Sequence, residues 1–175
     1  MEESTLKYWK DAGHVARRTL EAMKLELTPG KTFHEIIESA ERYIHRHGGK
    51  PAFPGTIAVN DLAAHFTTDH AINQVEGWDG EMVLQKGDCV KIDFGVHIKG
   101  HIADNALTFE IGNGNEHTEQ IKAAKEARDA AIEMMHPGTP WYKVGQAAAQ
   151  PSLDAGFQPI RNLCGHQLKP WELHA

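Results

Sequence analysis

The sequence predicts an α+β fold in which one helix-helix-sheet unit is laid down twice, the second time incompletely. Three observations in the 175 residues lead there. Apolar residues recur at helical spacing in two separate pairs of segments, one near the N-terminus and one from about residue 120. Residues 51–111, between the pairs, change to β-branched and alternating segments with Gly turns and read as sheet. Finally, Pro29-Gly30, Phe33, Ile36, Ala40, Gly48 and Pro51 stand 108 residues before Pro137-Gly138, Trp141, Val144, Ala148, Gly156 and Pro159.

Taken in order, Leu6, Trp9, Ala12, Ala16, Leu20 and Met23 form a first amphipathic helix that ends before Thr28-Pro29-Gly30. Thr32-Phe33-His34-Glu35 is a capping box, and it opens a second helix whose stripe of Phe33, Ile36, Ile37, Ala40, Tyr43 and Ile44 runs to Gly48-Gly49. Beyond the sheet stretch, residues 120–135 form an Ala-rich third helix ending at Pro137-Gly138. Trp141, Tyr142 and Val144 open a fourth helix running to Gly156, which Pro151 should kink or stop because proline has no backbone N–H to donate. The first unit is placed at about residues 1–111 and the start of the second at about 112–175, together one incomplete domain. Roughly 60 residues of sheet follow Pro51, whereas 16 residues follow Pro159. The shared spacing reads as an internal duplication; its alternative is two unrelated helix pairs whose turns coincide.

Composition narrows the function. With 41 % hydrophobic and 24 % charged residues, one packed core is expected. A net charge of −6, with both signs interspersed, leaves no basic patch and argues against nucleic acid as a direct partner. Apolar runs of only a few residues and the opening Met-Glu-Glu-Ser fit a soluble, cytoplasmic protein without a membrane partner. Cys89 and Cys164 lack CxxC spacing, so neither a disulfide framework nor a cysteine zinc site is expected. Histidine is abundant, at 12 residues. Most, such as His45 and His47, are expected in solvent, so placement beside carboxylates must single out any that do chemistry.

One segment provides that placement. Lys91 to Phe109 reads as a hairpin about Lys99-Gly100, and a two-residue loop puts Ile92, Phe94, Val96 and Ile98 on one face with Ala103, Asn105, Leu107 and Phe109. The other face carries Asp93, Gly95 and His97 with Ile102, Asp104, Ala106 and Thr108, making Asp93 and Asp104 near-diagonal neighbours. Two carboxylates so placed repel unless a cation lies between them. From this segment alone two readings stand, a divalent metal site and a merely solvated polar face. Downstream, an even separation would place His166 and His174 on one face of an extended segment, and the repeat carries that segment toward the first sheet. A histidine added to two aspartates makes a mixed nitrogen and oxygen donor set, suited to Mn, Fe, Co or Zn rather than Ca.

An ordered set of motifs then resembles a known family. Pro51-Ala52-Phe53-Pro54, Val59-Asn60-Asp61-Leu62-Ala63-Ala64-His65-Phe66-Thr67, the hairpin, Asn162-Leu163 with Gly165-His166, and Leu173-His174-Ala175 are similar, in order and at archaeal-like spacing, to the signatures of type II methionine aminopeptidases. The resemblance covers nearly the whole chain and implies the N-terminal portion of the pita-bread fold, a duplicated α/β unit with two divalent metal ions between its halves. It implies that Asp93 binds one metal, Asp104 bridges both and His166 binds the other, with two further glutamate ligands, one of them the general base, beyond Ala175. It implies that His65 and His174 face the scissile amide as catalytic and substrate-binding residues, and that Phe53 and Leu173 line the pocket for the methionine side chain. Cys164 departs from the family's Ser, Thr or Asn. The implied partners are nascent polypeptide N-termini, with the ribosome as a candidate. Against this stand a proline-specific peptidase of the same fold, which usually carries an extra N-terminal domain, a non-catalytic binding module, which should have lost ligands, and an inactive truncated fragment.

Overall fold

The computed structural model describes residues 3–68, 82–112 and 114–175, so part of the stretch read as sheet, residues 69–81, lies outside the described residues. Two compact units emerge, Met1–Gly114 together with His166–Ala175, and Asn115–Gly165.

The first unit opens with α1 (Glu3–Glu26) and α2 (Phe33–Arg46). The capping box forms as the sequence indicates: Glu35 N–H donates to Thr32 Oγ1 at 3.1 Å, and Thr32 N–H donates to the Glu35 carboxylate at 2.9 Å. Gly30, at φ +89°, supplies the left-handed residue of the connection. Four strands follow, β1 (Lys50–Pro51), β2 (Thr56–Val59), β3 (Cys89–Ile98) and β4 (His101–Glu110). All pairings are antiparallel. The long β3 is the centre: β4 takes one edge, while β2 and β1 lie end to end along the other, Thr56 opposite Asp93 and Lys50 opposite His97. The β3–β4 register agrees with the sequence reading rung by rung, from Cys89 opposite Glu110 to Ile98 opposite His101. Lys99 at φ +49° and Gly100 at φ +84° close it, as a type I′ turn requires.

Alternation sorts the side chains of β3. Val90, Ile92, Phe94 and Val96 are buried against Leu20 and Met23 of α1 and Phe33, Ile36 and Ile44 of α2. The opposite face carries Lys91, Asp93, Gly95 and His97. The helices thus fix one face of the sheet and leave the other to present polar groups.

The second unit holds α3 (Thr118–Met134) and α4 (Trp141–Asp154), which pack on each other. Their bounds repeat those of the first pair. Like α1 and α3, α2 and α4 end 108 residues apart, α2 and α4 also begin 108 apart, and Gly138 (φ +86°) and Gly156 (φ +82°) follow Gly30 (φ +89°) and Gly48 (φ +81°) at the same interval. Of the two outcomes expected for Pro151, a kink or a stop, the stop does not occur: the helix continues through it to Asp154. Pro151 lies in the last turn, where losing one donor costs less than in a helix centre and the closing bonds, such as Ala155 N–H to Pro151 O at 3.1 Å, are still made.

Burial separates the two pairs. Phe33 at the start of α2 is 2 % exposed, whereas Trp141, at the matching place in α4, is 70 % exposed, as are large parts of Tyr142, Ile132 and Met135. Leu163 and Trp171 are exposed, and Leu168 and Leu173 are half-buried. The same helical pattern therefore contributes differently to stability in its two settings. Phe33→Ala should destabilise the chain by about 3–5 kcal/mol, and Trp141→Ala should change stability by no more than about 0.5 kcal/mol. Urea unfolding followed by circular dichroism measures both, and a Trp141 effect approaching that of Phe33 would show that the second helix pair is covered.

Candidate metal centre

The polar face of the β3–β4 hairpin brings the two aspartates together as expected. Gly95 is the register partner of Asp104 and Ala106 that of Asp93, so the carboxylates are diagonal neighbours on one surface. Asp93 is half-buried. Burial first, and the charge of Asp104 second, push its carboxyl up from 3.8 to about 6, partly opposed by the positive charges of Lys91 and His65. Its Oδ1 is buried and has no hydrogen-bond partner among the described residues. An orphaned carboxylate oxygen costs several kcal/mol in principle and is rare in folded proteins, so such an atom calls for a ligand.

The closing segment supplies the histidines. His166 Nε2 lies 3.3 Å from Asp104 Oδ2, and the rings of His166 and His174 meet edge to face at 4.3 Å between centroids. They do not share a face of one extended strand, as even spacing had suggested. The segment reverses instead: Lys169 and Glu172 exchange backbone hydrogen bonds of 3.0 Å in both directions, and Ala175 N–H donates to Gln167 O at 3.0 Å. Pro170 sits in the intervening turn, where its fixed φ helps the reversal and its missing donor costs nothing.

His65 belongs to the loop after β2. Its backbone lies at φ +62°, and it is near enough to Asp93 to lower that carboxyl's pKa slightly. Phe53 enters at the break between β1 and β2, where Ala52 N–H still donates to Gly95 O at 2.9 Å. A Cβ on Gly95 would overlap the Phe53 ring, so glycine at that rung is what lets the aromatic ring lie over the strand beside Asp104. Leu173 is half-buried next to His174 in the closing segment.

Asp93 and Asp104 thus share one sheet face with the Phe53 ring, His166 and His174 meet at Asp104, and His65 lies in the loop nearby. Among the described residues, no three His, Cys, Asp or Glu side chains close into a ready coordination group. Asp104 and His166 touch, while Asp93 stands a diagonal step away with its spare oxygen. Two carboxylates, one imidazole and an unpartnered buried oxygen nonetheless fit a divalent cation of the Mn, Fe, Co or Zn type by their donor chemistry.

Sequence reasoning missed Lys91 and Gly95. Lys91 stands two residues before Asp93 on the same face and donates to Ala63 O in the loop bearing His65, so it both moderates the aspartate and holds that loop. Strand alternation could have flagged it, as could a glycine inside an otherwise well-filled strand for Gly95.

The raised Asp93 has a consequence for stability. The metal-free folded chain holds this proton more tightly than the unfolded chain, so the contribution is fully present below about 3.8 and is lost as pH rises through about 6. In calorimetry of metal-free protein, the wild type should lose melting temperature relative to Asp93→Asn across that window, with the variant melting higher at neutral pH. Parallel curves for the two proteins would contradict the burial of an ionisable Asp93.

Comparison with known proteins identifies the family. Residues 7–175 match the description Metallopeptidase family M24. A methionine aminopeptidase of Thermococcus onnurineus is 38 % identical over 164 residues, 94 % of this chain and 52 % of that protein. One from Methanothermus fervidus is 32 % identical over 184 residues, 99 % of this chain and 92 % of that sequence. Among solved structures, a methionine aminopeptidase from Thermotoga maritima shares the fold with a TM-score of 0.86 at 24 % identity, over 100 % of this chain and 70 % of that one. A prolidase from Pyrococcus horikoshii does so with a TM-score of 0.81 at 25 % identity, over 99 % and 48 %. The chain spans about half the length of the first curated relatives it matches. With the duplicated helix pairs, the antiparallel sheet and the family match in agreement, the chain belongs to metallopeptidase family M24 and has its pita-bread fold.

Proposed function

We propose that this chain forms the N-terminal part of a methionyl aminopeptidase that removes N-terminal methionine from nascent polypeptides with the help of two divalent metal ions. The observation that carries the reading is the partnerless, buried Oδ1 of Asp93 beside Asp104, whose other neighbour is His166. Asp93, Asp104 and His166 are the residues that would hold the metal, and we assign Asp104, a neighbour of both others, the bridging role. Divalent ions bound there would polarise the scissile carbonyl and make hydroxide available near neutral pH.

The remaining residues act on the peptide. His65, in the loop after β2, and His174, in ring contact with His166, are the residues we assign to donate hydrogen bonds to the amide as charge develops on it. Loss of one such donor typically costs about 10² to 10³ in rate. Phe53 and Leu173 offer apolar surface for an unbranched thioether side chain. The curated methionine aminopeptidases favour this substrate over a proline-specific one, although the fold is common to both. Cytoplasmic location is part of the proposal, and no described helix is long and apolar enough to cross a membrane. The ribosome, where such N-termini emerge, is the further partner we propose.

With three candidate ligands among the described residues and the two glutamates that the resemblance implies lying beyond Ala175, we expect the 175-residue chain to bind metal weakly and to be a poor catalyst by itself. It should bind Mn²⁺ or Co²⁺ in equilibrium dialysis, lose that binding in Asp104→Asn, and release no measurable methionine from a Met-Ala-Ser peptide until the missing C-terminal segment is supplied. Robust metal-dependent cleavage by the purified chain would overturn the ligand count. In the complemented enzyme, His174→Ala should lower kcat by about 10² with metal content unchanged; loss of metal would make His174 a ligand instead.

A further inference from the structure

The turn at Pro170-Trp171 is strained, and the strain is unexplained by the turn itself. Proline at its second position and a positive φ at its third match the preferences of a type II turn, in which glycine or asparagine normally takes the third place. Here that place is held by Trp171 at φ +67°. A bulky side chain in the left-handed region is disfavoured, so a contact of the indole must offset the cost.

Its surroundings show what does. Trp171 N–H donates to Gly100 O at 2.8 Å, the indole covers Gly100, and its ring centroid lies 5.0 Å from that of His97. A Cβ on Gly100 would overlap the indole. His97 is itself tied to the turn, its Nδ1 accepting from Gly100 N–H at 3.3 Å. The tip of the closing segment is thus docked on the tip of the β3–β4 hairpin. Five residues before Trp171 stands His166, and three after it stands His174. With the tip pinned, the reversal through Lys169 and Glu172 brings the two histidines back along the hairpin, to ring contact with each other and to Asp104.

We propose that Trp171 is a positioning residue: its indole, clamped on Gly100 and His97, sets where His166 and His174 stand relative to Asp104. Its described contacts are with Gly100 and His97, and it acts through the segment it anchors. The importance of that position rests on the metal reading above, whereas the clamp does not.

Trp171→Gly is an unusually clean test, because glycine accepts the turn's positive φ and only the indole is lost. In the metal-free 175-residue chain, the ring-to-ring nuclear Overhauser contact between His166 and His174 should disappear in this variant while the amide shifts of the β3–β4 hairpin are kept. Trp171→Phe should restore it. Co²⁺ affinity should fall about tenfold in Trp171→Gly, the lower end for residues that orient metal ligands, and recover in Trp171→Phe. Gly100→Asn keeps the hairpin turn but places a Cβ under the indole, so it should weaken the histidine contact in the wild type and have no further effect in the Trp171→Gly background. A wild-type chain that binds no Co²⁺ yet shows the expected histidine changes would remove the metal reading and leave the clamp standing. An unchanged histidine contact in Trp171→Gly would overturn the clamp, and so would a loss that Trp171→Phe fails to restore.

Discussion

The pairing of β3 with β4 in one register is the constraint on which the rest depends. Because side chains alternate across a strand, a slip of a single rung would exchange the two faces of either strand, sending Asp93 or Asp104 toward α1 and α2 and bringing core residues out. Nothing in the backbone hydrogen bonds alone forbids such a slip. It is forbidden by Ile92, Phe94 and Val96, which must stay against the helices, and by the Lys99-Gly100 turn, whose two positive φ angles fit only this pairing. The hydrophobic core and the diagonal placement of the carboxylates are therefore one fact seen from two faces of the sheet.

That linkage explains how the fold tolerates an unfavourable group. A half-buried carboxyl with a second carboxylate beside it and an oxygen without a partner opposes folding, and Lys91 and His65 relieve only part of the cost. The relief is smaller than the burial and the Asp104 charge that it opposes. The burden is carried by the apolar face of the same strand. A site that is unfavourable when empty of cations is selective for them when they come, since binding both neutralises the pair and satisfies the oxygen.

What the sequence made legible was what short-range pattern controls. Period-two alternation with a Lys-Gly turn specified the hairpin, and Thr32 with Glu35 specified the start of α2 to the residue. The repeat in Gly30 and Gly138, or Gly48 and Gly156, was equally visible, because glycine at a left-handed position is a local demand. Three features were not legible, for physical reasons. The meeting of His166 and His174 depends on a reversal that Trp171 secures through a long-range contact. The place of Phe53 depends on the gap between β1 and β2 and on Gly95 across it. The exposure of Trp141 depends on which neighbours are present, and a helical stripe of apolar residues reads the same whether it is covered or bare.

Strain completes the picture. Among the described residues, the non-glycine residues at positive φ are Asn60, His65, Lys99 and Trp171. Each lies in a segment that frames the carboxylate face: the loop carrying His65, the tip of the hairpin, and the turn that docks on that tip. Such conformations persist only where the surroundings over-determine them. The surroundings here do so. Asn60 takes a bond from Cys89 N–H at 2.9 Å and gives one to Asp88 at 3.0 Å, Phe66 O accepts from Ile57 N–H at 2.8 Å just past His65, and Trp171 is held by Gly100. For Asn60, His65 and Trp171 these bonds are made with β2, β3 or the loops at their ends, while Lys99 is held from α1, its Nζ donating to Tyr8 Oη at 2.8 Å. The regular part of the sheet thus supplies the rigidity, and the irregular segments, bent against their own preference, carry His65, His166 and His174 to it.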